Sequence, residues 1–396
     1  MRILFVTFSD ISVCSSSNIR NVSLIKGLLD HGHQVDIISY KTANKVQVHD
    51  ETFKTVTDRC KIIELTGVLA TEKISAGLLS SGNTSLKAKI YNRLRKIYYS
   101  LEPVDSLRTI ALSLDIEKLG LEEYDLMISS SNPYSVHILA DRIRKRYFAS
   151  GIKWVQYWGD ALYYDTLNRN PILPSRLKKA EHNLIKDSDL VVYTNGVVLE
   201  KQKKLYKDMA NKMTFIETPY AFAKGSTTEE FKYQVGYFGS FSTVVRDITP
   251  LYSVLSEANY NSVIIGNGDV EIIPTETLKA MPRATVSVVS EYEENTRILV
   301  CICNKLTAKG GETGAIPGKA YHYSATDKTV LMIGASPEVE AFLKKYNRFV
   351  FVPNDPQQIK DTIAAILEKT VVKEQPLTEV EPVCAAKRLI ETVNSL

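Results

Sequence analysis

Short apolar runs alternate with amphipathic helical patterns along the first half of the chain. Such runs, flanked by helices, favour a parallel sheet that is covered on both faces. The predicted strands are residues 3–8, 34–39, 61–65, 126–129, 154–158 and 190–194, and the predicted helices are 21–31, 136–148, 176–186 and 199–206. This pattern predicts a doubly wound α/β unit.

A second alternating series follows a polar segment at residues 218–232, which we predict to be a linker. The series therefore predicts two α/β domains, at residues 1–222 and 233–370. Residues 371–382 are predicted to be exposed, and the last helix is predicted at 383–393. The strands predicted for the second series are residues 235–239, 262–265, 284–288, 299–303, 330–333 and 349–352, followed by a helix at 356–369.

Composition is that of a globular protein with two or three domains: 396 residues, 44% hydrophobic and 24% charged. The net charge of +4 is too small to indicate a nucleic-acid partner. No run approaches the roughly 20 apolar residues of a membrane-spanning helix, and residues 1–7 are predicted to be a buried strand and not a signal peptide. The five scattered cysteines are interpreted as free thiols, which predicts a cytoplasmic protein.

The segment at residues 310–334 is the most informative motif. Gly310, Gly311 and Gly314 predict a loop, Pro317 opens a predicted helix, and residues 328–334 form a buried strand. The first turn of such a helix has unpaired N–H groups and suits a phosphate, to which Lys319 adds a cation. The alternative is an ordinary turn of an α/β domain.

The order Pro317-x-Lys319-x-x-His322-Tyr323-x-Ala325 resembles the nucleotide-sugar loop of GT-B glycosyltransferases, in particular the retaining family 4-like enzymes. That family usually has a glutamate at the position of His322, where it accepts hydrogen bonds from ribose hydroxyls. A neutral imidazole accepts one such bond.

The family's paired-glutamate signature is also altered. Gly314 stands eight residues before His322, and the nearest carboxylate is Glu312, which the resemblance places near the donor sugar. The alternative for Glu312 is a solvated loop charge.

Two further segments carry the resemblance. Residues 236–241 are similar to the opening strand of the donor domain, whose turn at Gly239 approaches the donor and whose later cation, here Arg246, contacts the diphosphate. Gly266 stands in a Gly-x-Gly turn that the family also carries, although a plain turn explains it equally well. A salt bridge with Asp247 or a neighbour is the alternative for Arg246.

Asp160 directly follows a predicted strand, where open α/β proteins place ligands. Family members often have an aspartate there, so Asp160 is the candidate for the reaction centre, and a helix N-cap is the alternative. Asn132 and His137 are predicted to lie on the same rim, although His137 could instead pack on its helix.

The loop after the first strand has serines where a dinucleotide-binding protein needs a Gly-x-Gly-x-x-Gly motif, which argues against an oxidoreductase. Arg20 follows this loop. The resemblance makes Arg20 a second catalytic candidate, typical of members that act on lipid-linked or polysaccharide acceptors. A solvated arginine at a helix start is the alternative.

Residues 86–101 form a basic amphipathic pattern within a stretch, 73–101, that has no acidic residue. Basic residues and tyrosines beside an apolar series predict binding to an anionic membrane surface. A core-facing helix with a solvated basic face is one alternative. RNA binding is another, but no nucleic-acid motif accompanies the pattern, and we predict no nucleic-acid partner.

The resemblance implies a GT-B fold, with two Rossmann-like doubly wound domains facing across a cleft and the final helix, 383–396, completing the first domain. It implies transfer of a hexose-type sugar from a nucleoside diphosphate to a glycan or lipid-linked acceptor in cell-surface polysaccharide or glycoconjugate synthesis, at the inner membrane face. No metal or other cofactor is expected, because Arg246 and Lys319 can neutralise the diphosphate. A GT-B nucleotide-sugar 2-epimerase and a binding-only partner subunit remain alternatives.

Overall fold

The first sheet has seven parallel strands in the order β3-β2-β1-β4-β5-β6-β7. The computed structural model describes residues 1–41, 48–66, 104–105, 107–121, 123–149, 151–164, 174–223, 230–305, 315–370 and 374–396. The strands of the first sheet are β1 Arg2–Thr7, β2 Gln34–Lys41, β3 Lys61–Thr66, β4 Leu126–Ser130, β5 Lys153–Trp158, β6 Leu190–Tyr193 and β7 Met213–Phe215.

The second sheet has six parallel strands in the order β10-β9-β8-β11-β12-β13. Two parallel α/β domains are thus present, and the predicted fold class is confirmed. The strands of the second sheet are β8 Tyr233–Phe238, β9 Ser262–Ile265, β10 Leu278–Met281, β11 Thr296–Ile302, β12 Thr329–Ile333 and β13 Phe349–Val352.

Helices follow most of the strands. They are α1 Ser16–Asp30, α2 Lys54–Thr57, α3 Arg108–Ser113, α4 Val136–Tyr147, α5 Pro174–Ile185, α6 Gly196–Leu205, α7 Thr249–Ser256, α8 Val286–Glu294, α9 Gly318–Ser324, α10 Pro337–Leu343, α11 Pro356–Leu367 and α12 Pro382–Asn394. Within the described residues, no helix is long and apolar enough to cross a membrane.

Both faces of each sheet are buried, which explains why the strands are nearly continuous apolar runs. In β1, Ile3 and Phe5 pack in the cluster that contains residues of α1 and α12, whereas Leu4 and Val6 pack in the cluster that contains residues of α4. Alternate side chains of one strand therefore pack against helices on opposite faces of the sheet.

The predicted strand at residues 284–288 is wrong. Ala284 and Thr285 belong to a loop, and Val286 begins α8. The strand beside β9 at the edge of the sheet is instead β10, whose residues were not predicted as a strand. β10 has one neighbour and only its first residue, Leu278, is buried, so it lacks the β-branched apolar run of an interior strand.

The final helix packs on the first domain by close backbone contact with α1. An ideal Cβ placed on Gly27 would lie 1.9 Å from the carbonyl oxygen of Pro382. Because a side chain at residue 27 would meet backbone, only glycine permits this approach of α12.

Gly27→Ala should therefore lower the free energy of unfolding by about 1–3 kcal/mol, the usual cost of overpacking. Urea denaturation measures this change. Gly318→Ala is the matched control, because a Cβ at that helical position would meet nothing within 4 Å. Equal stability changes in the two variants would contradict the role given to the contact between α1 and α12.

The segment that connects the two sheets is held at Glu217, a buried residue just after β7. Its carboxylate lies 2.6 Å from the Arg388 guanidinium of α12 and accepts a hydrogen bond of 2.8 Å from the Tyr346 hydroxyl of the second domain. One buried carboxylate thereby joins elements from both domains.

Candidate donor site between the two sheets

The loops at the carboxyl ends of the two sheets meet directly. Arg283, in the loop after β10, donates a hydrogen bond of 2.6 Å to the carbonyl of Cys14, in the loop after β1. The backbone N–H of Val286 at the start of α8 donates to the carboxylate of Asp50 from the first domain. These contacts set the two strand ends face to face, which is where open α/β sheets bind ligands.

A cavity of about 220 Å³ lies between these loops. Cys14 and Ser16 line it from the first domain. The structure brings five of the seven predicted donor-binding residues to this one cavity, namely Gly239, Arg246, Gly266, Lys319 and His322. The other two, Glu312 and Gly314, lie outside the described residues.

Gly266 and Gly239 differ in what a side chain at each position would contact. An ideal Cβ on Gly266 would lie 1.9 Å from the carbonyl oxygen of Gly239, so the two turns can approach only if residue 266 lacks a side chain. A Cβ on Gly239 would meet no atom closer than 3.6 Å. The protein's own packing therefore leaves room at Gly239, on a turn that borders the cavity.

The guanidinium of Arg246 is held by neutral oxygens. It donates to the side-chain oxygen of Asn304 at 3.0 Å and to the carbonyl of Ser240 at 3.3 Å. The neighbouring Asp247 forms its ion pair with Lys305, at 2.8 Å. Within the described residues no carboxylate pairs with Arg246, so its positive charge stays available to an anion in the cavity.

Lys319 is the second residue of α9, and its ammonium lies 3.2 Å from the buried carboxylate of Glu293. The helix begins one residue later than predicted: Pro317 is its N-cap and Gly318 its first residue. Because α9 has only seven residues, its macrodipole is small and the Lys319 ammonium is the stronger electrostatic feature.

His322 is buried and stacks on Tyr220, with ring centroids 4.4 Å apart and planes 14° from parallel. Burial, together with the charges of Lys319 and Arg20, lowers the pKa of His322 to about 3, so the imidazole is neutral at neutral pH. Neither ring nitrogen forms a hydrogen bond within the part of the chain that the structure describes. A neutral imidazole at the cavity can donate one hydrogen bond and accept one.

Arg20 is buried, which excludes the alternative of a solvated helix-start residue. Its guanidinium donates to the carbonyl of Ser131 and lies 5.4 Å from the ring centroid of Tyr157. A Cβ on Gly159 would lie 2.0 Å from the guanidinium nitrogen, so a side chain there would displace the Arg20 guanidinium from this position. Burial lowers the pKa of Arg20, partly offset by Tyr157 and Asp160.

Asp160 lies exposed at the end of β5 and accepts a hydrogen bond of 3.1 Å from the amide of Asn132. Residues 161–164 are not helical, so the alternative that Asp160 is a helix N-cap is wrong. After burial, the Asp160 charge is one of the causes that act on the pKa of Arg20, and the Arg20 charge is one of those that lower the pKa of His322.

His137 packs inside the first domain instead of lining the rim. Its Nδ1 lies 2.9 Å from the Ser129 hydroxyl, and its ring stacks on Trp158 with centroids 4.5 Å apart. Burial lowers its pKa to about 3. Of the two polar residues predicted beside Asp160, only Asn132 reaches it.

The loop that carries Asp160 is fixed by a buried carboxylate that the sequence pattern does not reveal. Glu181 of α5 accepts hydrogen bonds from the backbone N–H groups of Leu162 at 2.7 Å and Tyr163 at 3.2 Å. Burial raises the pKa of Glu181 to about 7. Nothing local marks this glutamate in the sequence, because its partners lie 18 and 19 residues away.

No protein-family model and no curated protein matches the sequence. Solved structures do match in three dimensions, over the whole chain. HepE of Anabaena, solved with UDP and glucose, is 12% identical, is covered over its full length and has a TM-score of 0.58. Sucrose-phosphate synthase from Thermosynechococcus elongatus is 13% identical, 94% covered, with a TM-score of 0.54.

The lipopolysaccharide outer core galactosyltransferase WaaB, in its apo form, is 12% identical, 99% covered, and has a TM-score of 0.53. The fold is GT-B. In this GT-B chain the two sheets are the 7-stranded and 6-stranded units described above, and the cavity lies between their carboxyl ends. At such low identity the likeness establishes the fold, and the chemistry has to be argued from the site itself.

Proposed function

We propose that this GT-B protein is a glycosyltransferase that moves a sugar from a nucleoside diphosphate to a hydroxyl group. The observation that carries the proposal is that two cations, Arg246 and Lys319, border the same cavity between the sheets. They come from different elements of the second domain. Two cations, one in the loop after β8 and one in the first turn of α9, suit a diphosphate, whose charge grows as the sugar leaves.

Each candidate residue has a distinct part in the proposed reaction. Arg246 binds the diphosphate in bidentate fashion, and Lys319 adds a mobile charge. His322, neutral, accepts one hydrogen bond from the ribose. The Gly239 turn leaves room for the donor beside the strand end. Glu312 and Gly314 remain predicted donor contacts.

Asp160 and Arg20 are proposed to face the sugar and the acceptor from the first domain. Transfer with retention at the anomeric carbon is proposed from the family 4-like motif around Lys319. In this scheme the leaving phosphate and the fixed cations supply the electrostatic stabilisation, and no metal or other cofactor takes part.

A thermal-shift screen against UDP, GDP, ADP and dTDP tests the proposal. UDP is the first choice, because HepE was solved with UDP and glucose. A ligand that binds only the folded state at 100 times its Kd stabilises it by about 2.7 kcal/mol. One strongly stabilising nucleotide is the expected result; no stabilisation by any of the four would contradict nucleotide-sugar transfer.

A binding-only partner subunit is the second candidate. It is favoured by His322, which stands where the resembling family has a carboxylate and is stacked and neutral. Incubation with matching nucleotide sugars separates the two candidates. Release of free nucleoside diphosphate, as the sugar passes to an acceptor or to water, is expected of an enzyme, whereas binding without release would favour a partner subunit.

We further propose a lipid-linked or glycan acceptor at the cytoplasmic membrane face, reached through the basic segment 86–101. This segment lies outside the described residues, and the proposal rests on its sequence alone. Changing Lys89, Arg93 and Lys96 to glutamate should release the protein from anionic vesicles, because each cation near such a surface contributes about 1 kcal/mol. Co-sedimentation at low salt measures this; wild-type protein that ignores the vesicles would make a soluble acceptor the better proposal.

A further inference from the structure

Glu293 is a buried acid directly behind the proposed diphosphate site. It lies near the end of α8, its side chain is 5% exposed, and its carboxylate oxygen is 3.2 Å from the ammonium of Lys319. The Lys319 side chain is 31% exposed and borders the cavity. Val286 and Val289 of the same helix also line the cavity, so α8 forms part of its wall.

The groups that face Glu293 leave Lys319 as its one ionic partner within the described residues. Tyr220, from the segment between the sheets, and Tyr323, from α9, are neutral phenols near Glu293, because burial and then the Glu293 charge raise the pKa of both well above the usual value. Burial raises the pKa of Glu293, and Lys319 partly offsets this. A buried carboxylate of this kind stays ionised only while its cation remains beside it.

A diphosphate in the cavity would compete with Glu293 for Lys319. The anion draws the ammonium toward itself and adds negative charge nearby, and both changes disfavour the ionised carboxylate. The cost is relieved when Glu293 takes a proton from solvent, which leaves the lysine to the phosphate. Binding of the anion and protonation of Glu293 are then linked.

We propose that Glu293 is a positioning residue that acts as the resident counter-ion of Lys319. It holds the ammonium at the cavity before the donor binds, and it weakens the hold on the nucleoside diphosphate that remains after transfer. This inference rests on the proposed function. This role gives a reason for a buried acid beside an anion site, where the charge of the acid would otherwise only oppose binding of the anion.

The test is calorimetric titration, at about pH 7.5, of the nucleotide selected by the thermal-shift screen and of inorganic pyrophosphate, a probe without a base. Glu293→Gln keeps the shape and removes the charge, and we expect it to bind both probes roughly tenfold more tightly. Glu291→Gln is the matched control, because it removes the same charge from an exposed position on the same helix.

Proton linkage is the second measurement. Titrations in two buffers with different ionisation enthalpies should show that the wild-type protein takes up protons on binding and that Glu293→Gln does not. A purely structural role predicts the opposite sign of the affinity change, namely weaker binding by Glu293→Gln.

Unchanged or weaker binding by Glu293→Gln, or proton uptake that persists in this variant, would overturn the inference and leave the proposed function intact. If neither pyrophosphate nor any of the four nucleotides binds the wild-type protein, the proposed function and the inference both fail.

Discussion

If the Asp160 carboxylate accepts the proton of the acceptor hydroxyl, Asp160→Asn should reduce turnover at least 100-fold, within the range of about 10²–10⁴ that a positioned acid or base contributes. Donor affinity and melting temperature should change little, because the side chain is exposed and its hydrogen bond to Asn132 can be kept by an amide oxygen. The measurement is steady-state transfer, or release of nucleoside diphosphate, with parallel melting curves.

Asp187→Asn is the matched control for this prediction, since Asp187 is an exposed aspartate in a turn of the same domain. It should retain wild-type turnover. If Asp160→Asn kept normal specific activity and was only less stable, Asp160 would be a structural residue and the reaction centre would lie elsewhere.

Arg246→Ala and Lys319→Ala should each weaken nucleoside diphosphate binding by about 1–3 kcal/mol, the scale of a hydrogen bond to a charged group. The loss should be smaller for Lys319→Ala. In the wild-type protein the phosphate must draw Lys319 away from Glu293, whereas the buried Glu293 becomes neutral once its cation is removed. Calorimetry on folded variants measures both losses.

Lys344→Ala removes an exposed cation that pairs with Glu340, and it should leave nucleotide affinity unchanged. Wild-type affinity in both Arg246→Ala and Lys319→Ala would take these residues out of the site. Equal losses of affinity in the two variants would still support both diphosphate contacts, but would argue against the counter-ion role of Glu293.

The strand positions could be predicted because a strand between two helix layers needs apolar side chains on both faces, as in β1 and β12. The same rule failed at residues 284–288, where valines occur in a helix. Val286, Ser290 and Glu293 are the buried residues of α8 and follow helical spacing, but two of the three are polar, so hydrophobicity alone did not reveal the helix.

The candidate site was predictable to the extent that it follows from topology. Ligands bind beyond the carboxyl ends of parallel strands. Gly239 and Gly266 directly follow β8 and β9, and Asp160 is the second residue after β5. The supporting carboxylates were not predictable. Glu293 and Lys319 are 26 residues apart, and an acid inside a helix shows no local sign that it will be buried.

A crystal structure of the protein with the nucleoside diphosphate that stabilises it would locate the donor directly. We expect density for the diphosphate between Arg246 and Lys319, with the ribose within hydrogen-bond distance of the His322 ring. Nucleotide bound away from this cavity, or a diphosphate that contacts neither cation, would contradict the proposed donor site.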